Sequence, residues 1–289
     1  MRISGAQDLG LDLAAAKRHP KAMSKSHPMI RLFIPDRLMA GQAIRLSDMA
    51  AHYIGSVMRQ KPGDLISLFN GMDGEWRAQI TDISRKTAFL TVESQSRAQK
   101  DDPAWPGLTL CFAPVKRAGT DLIIEKATEL GVARIIPVIT DYTQIARLRD
   151  DRLQLIAREA AEQCGRLSLP RIDPPLPLSQ LLAARPAPEP LFFCDEAGDT
   201  QPLLLAAKRI LGTQLRDSEP QGPKPCAVLC GPEGGFSPSE REALRAHQAV
   251  QPVGLGRLVL RAETAVIAAL SVVGAVLAAA DLDDPSGLQ

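Results

Sequence analysis

The feature that most constrains this 289-residue chain is a rhythm in its second half. Apolar runs at 108–113, 134–139, 191–194 and 227–230 alternate with helical patterns at 120–130, 150–164, 202–211 and 238–247. A short run that is apolar at every position reads as a strand buried on both faces, and a helix after each strand lets the next one run parallel to it. This half is therefore α/β, a parallel sheet covered by helices. The last segment, 265–280, is alanine-rich and almost uncharged. It is shorter than the roughly 20 residues that cross a bilayer, so it reads as a buried helix and no membrane partner is expected.

Residues 29–94 follow another pattern. Alternating strands at 31–34, 43–46, 65–70, 75–82 and 87–92, hairpin-length turns at 71–74 and 84–86, and a helix at 49–58 capped by Ser47-Asp48 predict a small, mainly antiparallel barrel. Between the halves, 97–107 is polar, holds two prolines and breaks every periodicity, which places the linker there. The expected division is 29–96 for the barrel, 97–107 for the linker and 108–289 for the α/β domain. Residues 1–28 carry Lys17, Arg18, Lys21 and Lys25 without the apolar core of a signal peptide, and read as a disordered extension. Proline-rich stretches at 170–177 and 218–225 read as surface loops.

With 34 basic and 33 acidic side chains, the net charge of +1 announces no nucleic-acid binder by itself. Five cysteines without a C-x-x-C pair argue against a disulfide framework or a zinc site, and point to a reducing, cytoplasmic setting with no metal.

Three segments could carry chemistry. Gly231-Pro-Glu-Gly-Gly-Phe236 joins a buried strand to the capping box Ser237-Pro-Ser-Glu240. A glycine loop at the carboxyl end of a strand and the amino end of a helix is where an open α/β sheet binds ligands, and Gly234 is expected to need a positive φ or a close backbone approach. It matches neither a Walker A loop nor G-x-G-x-x-G, which argues against a nucleotide phosphate and a Rossmann enzyme. The second segment, Leu255-Gly-Arg-Leu-Val-Leu-Arg-Ala-Glu-Thr-Ala265, opens the final helix, with Glu263 suited to the helix dipole and Thr264 to the cap. The third, Glu159 to Arg166, places Glu159, Glu162, Gln163 and Arg166 on one helix face. Lys116-Arg117, with Arg31, Arg45, Arg59 and Lys61 in the barrel, could form a phosphate-contacting stripe.

These motifs, in this order, resemble the ribosomal RNA small-subunit methyltransferase E family, as do DLIIEKATELGV at 121–132 and the barrel segments RLFIP and HYIGSVMRQKPGDLISLFNGMDGEW. The resemblance spans about 29–280. It implies a PUA-like barrel followed by a SPOUT domain with a C-terminal trefoil knot, methylating N3 of a uridine in 16S ribosomal RNA with S-adenosyl-L-methionine, as a homodimer acting on the RNA or the small ribosomal subunit. Cofactor contacts are then expected from Leu229, Gly231, Glu233, Gly234, Gly235, Leu255, Gly256, Leu260, Arg261, Thr264 and Ala265. Catalytic roles fall to Arg261 or Arg166, stabilising an anionic base, and to Glu263 as proton acceptor. RNA contacts are expected from Arg31, Arg59, Lys61, Lys116 and Arg117. Two departures stand out: Ala262 replaces a threonine, and the family's Thr-Glu-Arg-Ser reads Thr140-Asp-Tyr-Thr143. Two rival readings are a noncatalytic RNA-binding protein on the same fold and a methyltransferase of this superfamily acting on another RNA.

Overall fold

Two sheets divide the chain, and a computed structural model describes residues 29–144, 148–185, 189–196, 199–216 and 225–282 of it. The expected 1–28 extension and nearly all of the 218–225 loop lie outside the described residues.

The first sheet contains β1 (Arg31–Phe33), β2 (Ala43–Arg45), β3 (Leu65–Phe69), β4 (Glu75–Ile83) and β5 (Ala88–Arg97), in the order β1-β3-β4-β5-β2. Three of its pairings are antiparallel, but β1 runs parallel to β3, so the sheet is mixed. A parallel pair needs a crossover, and β2 with the following helical turns supplies it. The helix expected at 49–58 is split. In α1 (Asp48–His52) the Ser47 hydroxyl accepts from the Ala50 N–H, and a π-helical turn, Tyr53–Val57, follows. Ile44, Ile54, Ile66, Leu68, Ile80 and Leu90 fill the interior.

The second half runs β6 (Trp105–Phe112), α2 (Arg117–Glu129), β7 (Val132–Ile139), α3 (Asp150–Cys164), β8 (Arg171–Ile172), β9 (Leu176–Pro177), α4 (Leu178–Ala183), β10 (Leu191–Cys194), β11 (Gln201–Pro202), α5 (Leu203–Arg216), β12 (Cys226–Cys230), α6 (Pro238–Ala246), β13 (Val250–Gly254) and α7 (Ala262–Leu282). Its sheet is parallel throughout, ordered β11-β13-β10-β12-β6-β7-β8, with β9 beside β7. Side chains alternate across it: Leu108, Leu110 and Phe112 enter a core with α2, α3, α5 and α7, while Cys111 faces a second core with α4 and α6.

Four strands are absent from the sequence reading: β8 and β9, which pair with β7 inside the 170–177 stretch expected as a surface loop, the two-residue β11, and β13, whose Val-Gln-Pro-Val-Gly sequence carries a proline; β13 has the most consequence. It inserts between β10 and β11, and α7 then doubles back to pack on α5, α2 and β12. By length and composition α7 could cross a bilayer. Here Val266, Ala269, Leu270, Val273 and Leu277 sit in the core instead.

Candidate active site at the strand ends

Adjacent strands β10, β12 and β13 end side by side at Cys194, Cys230 and Gly254, so the loops that follow them meet. The glycine loop after β12 is shaped by two different demands. A Cβ on Gly231 would stand 2.5 Å from the Phe236 ring, which is buried and packs edge-on against Phe193 with centroids 5.0 Å apart. Gly235 has φ +69° and its Cβ would meet Glu196 Oε1 at 2.3 Å. Gly234, expected to need a positive φ or a close backbone approach, does not have the first. Its φ is not positive, and the nearest atom to its Cβ would be Tyr142 Cβ at 3.5 Å, an ordinary contact.

The expected capping box forms. Ser237 Oγ accepts from the Glu240 N–H at 3.3 Å, and Glu240 Oε2 accepts from the Ser237 N–H at 3.0 Å. Asp141, from the segment that departs from the family pattern, joins it. Its carboxylate accepts from Ser237 Oγ at 2.5 Å and its N–H donates to Glu240 Oε1 at 2.8 Å. The 140–143 turn thus braces the glycine loop from outside.

These loops enclose a cleft of about 810 Å3, within the roughly 300–1,000 Å3 of small-molecule sites. Gly231, Glu233, Gly234, Gly235, Leu255, Gly256, Leu260 and Ala265 line it as expected. Sequence reasoning missed the wall after β10: Cys194, Asp195, Glu196 and Thr200. Their place at a strand's carboxyl end was the available signal. Arg245 holds this wall through Asp195 at 2.6 Å and Asp199 at 2.6 Å, and those carboxylates push its guanidinium above the ordinary arginine range. A thiol hydrogen bond with Cys194 and burial push the Cys230 thiol well up. Thr200 Oγ1 is buried in the wall without a hydrogen-bond partner among the described residues.

Other expected residues lie elsewhere. Leu229 is fully buried and faces the α4–α6 core, leaving Cys230 to line the cleft. Thr264 is the third helical residue of α7 and is exposed, so it does not cap the helix. The Glu263 carboxylate lies 3.6 Å from where a Gly119 Cβ would stand, between the first turns of α2 and α7, where both dipoles favour its charge. Arg261 is exposed just before α7 and makes no ion pair among the described residues.

Arg166 corrects the expectation of a catalytic role. Only 2% exposed, it donates from Nη1 to the Thr128 and Val132 carbonyls at 2.9 and 3.0 Å, inside the second domain. Burial lowers its pKa from the ordinary arginine value. Arg31 also departs from its expected place on the RNA face. Its Nε donates to Glu75 at 2.6 Å and its fork to carbonyls at the end of α3. Arg59, Lys61, Lys116 and Arg117 are exposed, and Arg59 holds a positive φ of 55° beside exposed Val57 and Met58. Among the described residues no three His, Cys, Asp or Glu side chains cluster as metal ligands.

A parallel sheet with a glycine-walled cleft at its carboxyl edge, joined to a small mixed sheet, has clear relatives. An RNA methyltransferase domain family matches residues 103–274 and an RNA methyltransferase PUA domain family matches 37–93. The chain is 32% identical over 242 residues to Ribosomal RNA small subunit methyltransferase E of Rickettsia conorii, covering 83% of this chain and 93% of that one. With the Synechocystis protein of the same name it shares 31% over 249 residues, covering 86% and 78%. The crystal structure of Ribosomal RNA small subunit methyltransferase E from Neisseria gonorrhoeae, bound to S-adenosyl methionine, superposes with a TM-score of 0.71 at 27% identity, covering 86% and 98%. The chain belongs to the ribosomal RNA small subunit methyltransferase E family.

Proposed function

We propose that this protein methylates N3 of a uridine in 16S ribosomal RNA, using S-adenosyl-L-methionine bound in the strand-end cleft. The observation that carries this reading is the cleft itself: a pocket of about 810 Å3 walled by glycine backbone, with a buried Thr200 hydroxyl that has no partner among the described residues. The cofactor fits such a donor set. Gly234 and Gly256, whose Cβ positions meet nothing nearer than 3.5 Å, leave backbone groups open to close approach, Leu255, Leu260 and Ala265 offer apolar surface, and Thr200 supplies a buried hydroxyl. When bound, S-adenosylmethionine supplies an electrophilic methyl group.

Uracil N3 is a weakly acidic imide nitrogen, so the base must leave its pairing partner and lose a proton before it attacks. Arg261, exposed at the start of α7 and without an ion pair among the described residues, would stabilise the anionic base. Glu263 is reserved for the two helix ends rather than for proton transfer. The barrel, 29–96, holds RNA through Arg59 and Lys61, with Lys116 and Arg117 across the 97–107 linker in 108–289. The small, exposed Ser271, Ala275 and Ala278 on α7 suit close packing of a second copy as a homodimer; scattering at 31 kDa alone would exclude it. The doubling back of α7 supports the trefoil knot, and the RNA partner a cytoplasmic location.

Mass mapping of ribosomal RNA modifications in cells with and without this gene tests the reading. Loss of one N3-methyluridine from 16S RNA is expected. An unchanged map would favour a noncatalytic RNA-binding role, and loss from another RNA would move the substrate.

A further inference from the structure

A helix leaves its last carbonyls without partners. At the carboxyl end of α3 those partners come from the other sheet. Arg31 Nη1 donates to the carbonyls of Ala161 at 2.8 Å and Glu162 at 3.1 Å, and its Nη2 to that of Arg166 at 2.8 Å. Arg97 Nη1 donates to the Gly165 carbonyl at 2.7 Å. Glu75 sits between the two arginines, accepting from Arg31 Nε at 2.6 Å, Ser67 Oγ at 2.7 Å and Arg97 Nη1 at 3.3 Å. The exchange is reciprocal, because Glu162 Oε1 accepts from the Phe33 N–H at 3.0 Å. Phe33, Phe69, Ala161 and Leu167 close one apolar cluster across the junction, with the Arg31 guanidinium 4.5 Å from the centre of the Phe69 ring.

This arrangement is specific in angle as well as in contact. A guanidinium presents its donors in a rigid planar fork, and the carbonyls it meets form the negative end of a helix dipole. Rotating the barrel on α3 would pull Arg31 and Arg97 off the helix-end carbonyls and take the Phe33 N–H from Glu162, while Glu75 would keep its partners within the barrel, so the junction admits one orientation. An apolar interface of the same area could slide.

We propose that Arg31, Glu75 and Arg97 are positioning residues that lock the barrel to the carboxyl end of α3, so that RNA held by the barrel meets the strand-end cleft in a single orientation. The part concerning RNA rests on the proposed methyl transfer; the lock itself does not.

The test has two arms on the full-length chain. In a Cys164→Ser background, spin labels at Lys86→Cys on the barrel and Glu242→Cys on α6 report the distance between the halves; both positions are exposed. A narrow distance distribution is expected in the parent and a broad one in Arg31→Ala. A narrow, unmoved distribution in Arg31→Ala overturns the lock, whatever RNA is the substrate. If Arg31→Ala does not fold, Arg97→Ala, which removes only one carbonyl donor across the junction, to Gly165, takes its place.

The second arm follows KM for 16S ribosomal RNA transcripts. Misorientation should raise KM about tenfold in Arg31→Ala, with cofactor affinity unchanged. A disulfide can then restore the orientation without restoring the arginine. A Cβ on Gly71 would stand 3.7 Å from Ser168 Cβ, inside the roughly 3.5–4.5 Å of a disulfide. Adding Gly71→Cys and Ser168→Cys to Arg31→Ala should return KM to the parent value when oxidised and not when reduced. A KM that stays high in the oxidised protein, with a salt slope lowered by about one unit, would make Arg31 a phosphate contact and end the positioning role. If the parent methylates no 16S transcript while the distances behave as stated, the proposed substrate fails and the lock stands.

Discussion

The junction between barrel and α3 and the cleft at the strand ends handle polar groups in opposite ways. At the junction nearly every buried charge is paired: Glu75 accepts three hydrogen bonds and Arg31 donates four. At the cleft a buried hydroxyl on Thr200 lacks a partner among the described residues and Leu258 and Val259 are 81% and 85% exposed, while Arg261, next in the chain after Leu260 of the cleft wall, is exposed. Burying a polar group unpaired costs free energy, so groups spent on one another mark architecture, and groups left unspent mark the place where a ligand completes the set. By that measure Arg31 and Arg166 belong to architecture, and Arg261 keeps its proposed role.

The largest test of this contrast falls on the glycine loop. Gly235→Val places a β-branched side chain at φ +69° and against Glu196, costing roughly 2–4 kcal/mol. Cofactor affinity should fall by tens- to hundreds-fold in calorimetry on the folded variant. Gly234→Ala, which meets only ordinary contacts, should keep affinity within about threefold. Equal losses in the two would show that the loop is not shaped as described.

Removing the open arginine should act on chemistry. Arg261→Ala is expected to slow single-turnover methyl transfer by about 10²–10³, the range for losing one donor to developing charge, with RNA affinity little altered. A matching loss of RNA affinity would place Arg261 in binding instead. Arg166→Leu should do the reverse. It removes the donor to the Val132 carbonyl and one of two donors to the Thr128 carbonyl, which keeps the Gly131 N–H, at about 1–3 kcal/mol, so the melting temperature should drop by several degrees while the rate per folded molecule holds.

The smallest effect concerns acid. Burial pushes the Glu75 carboxyl up, but the bonds from Arg31 and Ser67 and the charges of Arg31 and Arg97 outweigh it and leave its pKa below the ordinary glutamate value. The stability Glu75 contributes is therefore present above the unfolded pKa and is lost as pH falls through the lower folded one. Glu162, whose pKa burial raises, has the opposite sign: its penalty is relieved in acid. Glu75→Gln should flatten the acid limb of a melting-temperature profile, and an unchanged limb would show that the junction does not titrate.

Much of this molecule was legible before its structure. The four largely apolar runs each became a strand of the parallel sheet, because a strand buried on both faces has few polar positions to disguise it. The glycine loop and its capping box were also legible, since both are local and their backbone demands show in residue type. What sequence concealed is long-range. Strand β13 carries a proline and earns its place only between β10 and β11. Asp195 and Thr200 reach the cleft because that same insertion sets β10 beside β13. Arg31 reads as a surface arginine until α3, 130 residues further on, offers it carbonyls. Propensity and pattern act over a few residues, so they decide elements and turns. Whether a charge is spent or free depends on what the folded chain brings beside it, and that only tertiary structure decides.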